Sequence, residues 1–341
     1  MLLAEARLRG VTGAKEEIRR AGEEDDPPPG RLPDFFIVGH PKCGTTAMYE
    51  MLARHPQLYL PERKEPRWFS TDLRSPFRPG ADGKPRDTYE DYLALFAPAG
   101  PDQITGEGST DYIWSHTAAS EIAAVRPDAR IIVIFREPAS FVRSLHIHML
   151  QHKAEEEPSL RRALELESER REGRHLTEVT RRWPQQLFYA ERVRYVEQLR
   201  RYAEHFAPEQ MLLLVYDDFR ADNDATLRAV QRFLGVEETG AELLVEANES
   251  VYRRADVDSR LHDAFFGGGP VLRAARRAAR LVTPEGARQR AFGAQRDRLV
   301  FTEPPPPEEE LMSELRDRFA PEVRALSEYM DRDLAELWGY R

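Results

Sequence analysis

Runs of consecutive apolar residues recur along the chain, each closed by glycine, proline or charge and followed by a stretch with helical spacing. The stretch DFFIVGH (34–40) reads as a buried strand, and CGTTAMYEMLARHP after it as a helix that ends before Pro56. QITGEG (103–108) is a further strand candidate. ARIIVIFREP, bounded by Arg130 and Pro138, is a stronger one, and PASFVRSLHIHMLQHK follows it as a helix with Pro138 in its first turn. QQLFYAERVRYVEQLRRYAEHF carries Leu187, Val193, Val196, Leu199 and Phe206 at helical spacing. MLLLVYDDF is another continuous apolar strand, ahead of the helix NDATLRAVQRFLG with Gly235 closing it. Short apolar strands separated by helices predict an α/β doubly wound fold, a parallel β-sheet flanked by helices on both faces.

The ends of the chain read differently. Residues 1–22 suit a short helix and EEDDPPPG an acidic, proline-rich linker, so residues 1–31 precede a folded domain over 32–341. Within that domain 251–310, with FFGGGP, VLRAARRAAR and EPPPP, reads as a lid-like insertion, and the last segment returns to helices that pack on the core. Arg273, Arg276, Arg277 and Arg280 share one helical face, suited to solvent, to an anionic acceptor or to peripheral contact with a membrane surface.

Composition narrows the choice of ligand. Of the 341 residues 41% are hydrophobic and 32% charged, an ordinary globular mix able to bury a core. No run of about 18 apolar residues offers a membrane span, and the first residues lack the apolar centre of a signal peptide. The single cysteine excludes an intrachain disulfide and fits a cytoplasmic, reducing setting. A formal charge of −9 argues against nucleic acid as partner, so an anionic ligand needs a local cluster of cations. Composition leaves the oligomeric state open.

GHPKCGTT (39–46) offers such a cluster. Gly39 and Gly44 sit at the spacing of a G-x-x-x-x-G-K-[ST] phosphate loop, but Thr45 follows Gly44 and the lysine comes earlier, at Lys42. At the carboxyl end of a strand, the amides of Cys43, Gly44, Thr45 and Thr46 would open a helix toward an anion, with Lys42 as a point charge and the threonine hydroxyls as donors. Without a lysine–threonine pair the loop suits an anion handled without Mg²⁺, and no metal is required. Cys43 needs only to be small there.

This loop resembles the 5′-phosphosulfate loop of sulfotransferases that use 3′-phosphoadenosine-5′-phosphosulfate (PAPS), which implies a P-loop-NTPase-like sulfotransferase fold and a PAPS donor. The family's second signature, roughly R-[DNE]-P-x-x-x-x-x-S, binds the donor's 3′-phosphate. Here IIVIFREPASFVRS places Arg136, Glu137, Pro138 and Ser144 in that pattern. Arg136 offers a planar fork to a phosphate, and two anion loops after two buried strands fit the two ends of one nucleotide. The resemblance covers roughly 34–235. It departs at Phe141, where the family often has a basic residue, and Arg253 and Arg254 are candidates for the missing charge.

LYLPERKEPRWFS resembles the K-E-x-x-F-F segment of glycan sulfotransferases, in which the glutamate is the base. Lys64, Glu65, Arg67, Trp68 and Phe69 fit, with Trp68 for the first phenylalanine. The resemblance makes Glu65 the base and Lys42 the stabiliser of the leaving phosphate; the flanking cations would keep Glu65 ionised. TGEGSTDYIWS resembles the family's acceptor-lining G-E-x-[ST]-P-x-Y segment, so Ser109 and Tyr112 are acceptor candidates, as are His40, Arg67 and His116. His40, His116, His146 and His148 compete as bases, and their spacing makes no metal site. The implied reaction sulfates a hydroxyl of a small-molecule, glycolipid or carbohydrate acceptor and releases 3′,5′-bisphosphoadenosine. A nucleotide kinase or NTPase, with Asp217 holding Mg²⁺, and a non-catalytic nucleotide-binding protein are the alternatives.

Overall fold

Five parallel strands in the order β2-β3-β1-β4-β5 form the central sheet of the computed structural model, which describes residues 31–73, 88–240, 252–253, 301–302 and 306–340. The strands are β1 (Phe35–Ile37), β2 (Leu58–Tyr59), β3 (Ile104–Gly108), β4 (Arg130–Phe135) and β5 (Met211–Val215). The helices are α1 (Thr45–Leu52), α2 (Tyr89–Ala94), α3 (Ala118–Val125), α4 (Pro138–Gln151), α5 (Leu160–Glu165), α6 (Glu167–Arg171), α7 (Tyr195–Ala203), α8 (Tyr216–Ala221), α9 (Asn223–Leu234), α10 (Glu309–Met330) and α11 (Leu334–Trp338). The apolar runs explain the sheet. Phe35 to Val38 and Ile131 to Phe135 are buried along their whole length, as strands covered on both faces require.

The strand order sets the position of the chemistry. β1 is central, with β3 on one side and β4 on the other. Ile37 pairs with Ile132 of β4 and Gly108 of β3, and Val38 N donates to Ile132 O at 2.9 Å. The loops leaving β1, β3 and β4 therefore emerge together at one edge, where the strand order reverses and ligands bind open α/β sheets. An open depression of about 490 Å³ bordered by Pro127, Asp128, Arg130, Glu209 and Gln210 lies instead at the opposite edge, where β4 and β5 begin.

The chain divides into two compact units. One comprises Met1–Phe141, Ala190–Ala247 and Arg316–Arg341 and holds the whole sheet; the other comprises Val142–Tyr189 and Asn248–Leu315. In the second, buried Arg170 pairs with Glu155 at 2.7 Å while the Tyr189 hydroxyl donates to the other carboxylate oxygen at 2.9 Å. Tyr252–Arg253 pairs antiparallel with Phe301–Thr302 there. The expected amino-terminal helix and linker, the arginine stripe of 273–280 and most of the lid-like insertion lie outside the described residues.

Two expectations need correction, and one strand had no expectation. The helix expected over 185–206 is helical only in α7, preceded by short 3-10 turns at Pro184–Leu187 and Glu191–Val193. Leu187, Phe188 and Tyr189 are buried in succession, which a one-sided helix cannot achieve. The run MLLLVYDDF is strand only to Val215, and α8 starts at Tyr216 with Asp217 and Asp218 in its first turn, where the helix dipole favours acids. The edge strand β2 has two residues, too few to leave a periodic signal. The carboxyl-terminal segment does pack back: Trp338 Nε1 donates to Asp217 Oδ2 at 2.9 Å, and Arg332 pairs with Asp218.

Candidate active site

The loop after β1 is shaped by two glycines. A Cβ on Gly39 would lie 2.8 Å from the Ile134 amide nitrogen, so only glycine lets this turn press against β4. Lys42 and Gly44 are both left-handed, with φ of 66° and 85°, and a Cβ on Gly44 would meet the Phe219 ring at 2.9 Å. α1 then opens at Thr45, with Thr45 buried and Thr46 exposed. Among the described residues, the amides of Cys43, Gly44, Thr45 and Thr46 donate to no backbone acceptor, leaving a row of N–H groups at a helix N-terminus. Burial lowers the pKa of the Lys42 ammonium, and neighbouring Arg136 lowers it further. Burial pushes the Cys43 thiol up to about 12, so it stays protonated and is no nucleophile.

The second motif meets the first directly. Arg136, the residue after β4, donates from Nη1 to the Lys42 carbonyl at 3.0 Å, and its guanidinium lies 5.0 Å from the centre of the Tyr216 ring. The Tyr195 hydroxyl holds the Arg136 carbonyl at 3.1 Å. Glu137 is a cap: its carboxylate accepts from the amides of Ala139 at 3.0 Å and Ser140 at 2.6 Å, and from the Tyr340 hydroxyl. Phe141 is buried with its ring 4.8 Å from that of His40, so the position that carries a cation elsewhere is filled by packing. Ser144 lies buried on α4. Arg253 is in the short antiparallel pair, and Arg254 is outside the described residues.

The loop bearing Glu65 is held in an unusual conformation, with φ of 59° at Glu65 and 58° at Arg67. Its backbone is tied to the strand β3 end by Glu65 N to Gly108 O at 3.0 Å and Arg67 N to Ser109 Oγ at 3.0 Å. Phe69 anchors it, edge-on to Phe36 of β1, and Trp68 stacks on Tyr92. The Glu65 carboxylate receives Lys64 Nζ at 2.9 Å, Arg67 Nη2 at 2.6 Å and the Thr110 hydroxyl at 3.2 Å. Burial raises its pKa, but Lys64 and Arg67 outweigh burial and hold it at about 2. Arg67 also pairs through Nε with Asp111 at 3.2 Å.

Beneath this loop lies a buried carboxyl. Glu107 of β3 accepts from Ser109 Oγ at 2.6 Å, Tyr92 OH at 2.6 Å and Tyr112 OH at 3.2 Å. Burial pushes it up to about 7, against those three hydrogen bonds.

A model of the Sulfotransferase family matches residues 33–240, which include the loop, the Arg136 motif and the Glu65 segment. The chain belongs to the Sulfotransferase family. A solved sulfotransferase from Alicyclobacillus acidocaldarius superposes with a TM-score of 0.61 at 25% identity, covering 90% of this chain and 99% of that one. Human carbohydrate sulfotransferase 15 is 30% identical over 152 residues, 34% of this chain and 27% of that one. Human bifunctional heparan sulfate N-deacetylase/N-sulfotransferase 3 is 28% identical over 216 residues, 60% of this chain and 22% of that one. The matched part is thus 27% or less of these relatives' lengths.

Several other candidates in this family member have supporting positions. Ser109 and Tyr112 are buried, and their hydroxyls are engaged with Glu107, Arg67 N and Phe69 N. His40 is buried with Nε2 on Gln198 at 2.7 Å, and burial, then Arg192, lowers its pKa well below the usual imidazole value. His146 is buried with Nε2 on the Glu157 carbonyl at 2.8 Å. His116 is exposed, its amide held by Asp72 at 2.9 Å. Asp217 is occupied by the Trp338 indole, and among the described residues no group of three or more His, Cys, Asp or Glu could hold a metal ion. None of the helices among those residues is long and apolar enough to cross a membrane. Sequence reasoning missed Thr110 and Asp111, which complete the Glu65 ion-pair chain; their place inside GEGSTDY was the available signal.

Proposed function

We propose that the chain transfers a sulfuryl group from PAPS to a hydroxyl of a carbohydrate acceptor, releasing 3′,5′-bisphosphoadenosine. The observation that carries this reading is the junction of the two anion loops: Arg136 of one grips the Lys42 carbonyl of the other at one sheet edge, beside amides that donate to no backbone acceptor among the described residues. The names of the relatives support a carbohydrate acceptor.

PAPS supplies a sulfuryl group joined to its phosphate through one oxygen. The acceptor hydroxyl gives its proton to Glu65 as its oxygen takes the sulfur. The electron pair of the broken S–O bond stays on the phosphate, where Lys42 and the amides of 43–46 neutralise it. The motif resemblance assigns the 3′-phosphate to Arg136 and Ser144. A carboxylate at about 2 is a weak base, so Glu65 acts once a bound ligand draws Lys64 or Arg67 away and lets its pKa climb.

Thermal unfolding with nucleotides tests the donor. Bisphosphoadenosine without Mg²⁺ should raise the melting temperature more than ATP with Mg²⁺. The reverse ranking would favour a kinase or NTPase. Transfer of labelled sulfate from PAPS to an oligosaccharide panel tests the acceptor class.

A further inference from the structure

Among the described residues two arginines, Arg170 and Arg192, are almost wholly buried, and they are treated differently. Arg170, 1% exposed, places Nη2 on Glu155 at 2.7 Å and Nη1 on the Ala163 carbonyl at 3.3 Å. Arg192 is 2% exposed, yet its guanidinium forms no ion pair with any described residue and its buried Nε has no hydrogen-bond partner. Its guanidinium carbon lies over the face of Trp114, 3.9 Å from the ring centroid. An unpaired buried guanidinium is costly, which makes it a strained choice for a purely structural position.

Its location gives the cost a purpose. Gln198 joins Arg192 to the phosphate loop: Nε2 donates to the Arg192 carbonyl at 3.2 Å while Oε1 meets His40 Nε2 at 2.7 Å, two residues before Lys42. On the other side, Trp114 Nε1 donates to Asp111 at 3.2 Å, Asp111 pairs with Arg67, and Arg67 pairs with Glu65. Arg192 is thereby wired to the loop that would hold the leaving phosphate and to the loop that would hold the base. Stacking on Trp114 covers one face of the guanidinium and leaves its in-plane N–H groups for oxygen acceptors. His40 Nδ1, also buried, lacks a partner as well. Burial draws the Arg192 pKa down to about 10, with Asp111 opposing it, so the cation persists at neutral pH.

We propose that Arg192 binds the oxygens of the sulfuryl group itself, as the cation that discriminates a sulfated from an unsulfated donor. This rests on the donor reading above and extends it.

The test compares PAPS with bisphosphoadenosine, which lacks the sulfuryl group, by calorimetry on wild type, Arg192→Lys and Arg192→Met. PAPS affinity should fall about tenfold or more in Arg192→Met, less in Arg192→Lys, with bisphosphoadenosine affinity unchanged. A second arm needs no variant. In wild type saturated with bisphosphoadenosine, inorganic sulfate should raise the melting temperature beyond chloride at equal ionic strength. Unchanged PAPS affinity in the variants, an equal loss for both nucleotides, or no sulfate effect in wild type overturns the proposal. Wild type that binds neither nucleotide overturns the donor reading, and this proposal with it.

Discussion

The Arg136 guanidinium holds the Lys42 carbonyl oxygen at 3.0 Å, so the cation of the second motif fixes the backbone of the first. The bond spans 94 positions of sequence and crosses from β4 to the loop after β1, the two neighbouring strands at the centre of the sheet. Neither motif is positioned alone.

Arg136→Ala should therefore weaken bisphosphoadenosine binding at both ends of the nucleotide, by about 2–3 kcal/mol for loss of a charge-assisted contact. Arg136→Lys keeps the charge and loses the fork, and should recover part of this. Calorimetry would measure it, and unchanged affinity in Arg136→Ala would separate the two loops.

Lys42→Ala should lower kcat about 10²–10³-fold, the usual effect of removing one preorganised stabiliser of developing charge. Because burial and Arg136 depress the Lys42 pKa, turnover in wild type should fade at a lower alkaline pH than a free lysine would give. Lys42→Arg should move that alkaline limb upward. A pH profile of kcat in all three proteins checks the assignment.

Glu65→Gln should reduce turnover far more than donor affinity. Arg67→Ala removes one of the two cations that hold Glu65 at about 2, so the carboxyl rises and the acid limb of kcat moves to higher pH. An acid limb that stays in place would assign the proton transfer to another group.

Glu107 predicts a pH dependence of stability. Its folded pKa of about 7 lies above the ordinary 4.5, so the folded state binds the proton more tightly. That contribution is complete below about pH 4.5 and is lost as pH rises through about 7. Glu107→Gln should flatten the loss, on the order of 2 kcal/mol across this window, which melting temperatures at pH 5 and pH 8 would reveal.

The sheet was legible because Phe35–Val38 and Ile131–Phe135 are buried on both faces, and continuous apolar runs are the plain signature of such strands. The two loops were legible because glycine at 39 and 44 and arginine after β4 are chemical requirements fixed in sequence order. The sequence offers Ser109 and Tyr112 as acceptor candidates, but burial decides that they face Glu107, and burial is a property of the packed whole. Arg192 left no local trace: its meaning comes from Trp114 and His40, remote in sequence and close only through Trp114's ring and the Gln198 bridge.

Tyr340 reaches back to Glu137, whose carboxylate seats the first amides of α4, just after Arg136. The Tyr340 side chain is thus a peg for the corner that follows Arg136. Cleavage behind Asp333 removes that peg together with α11, and should slacken the corner without dissolving the sheet.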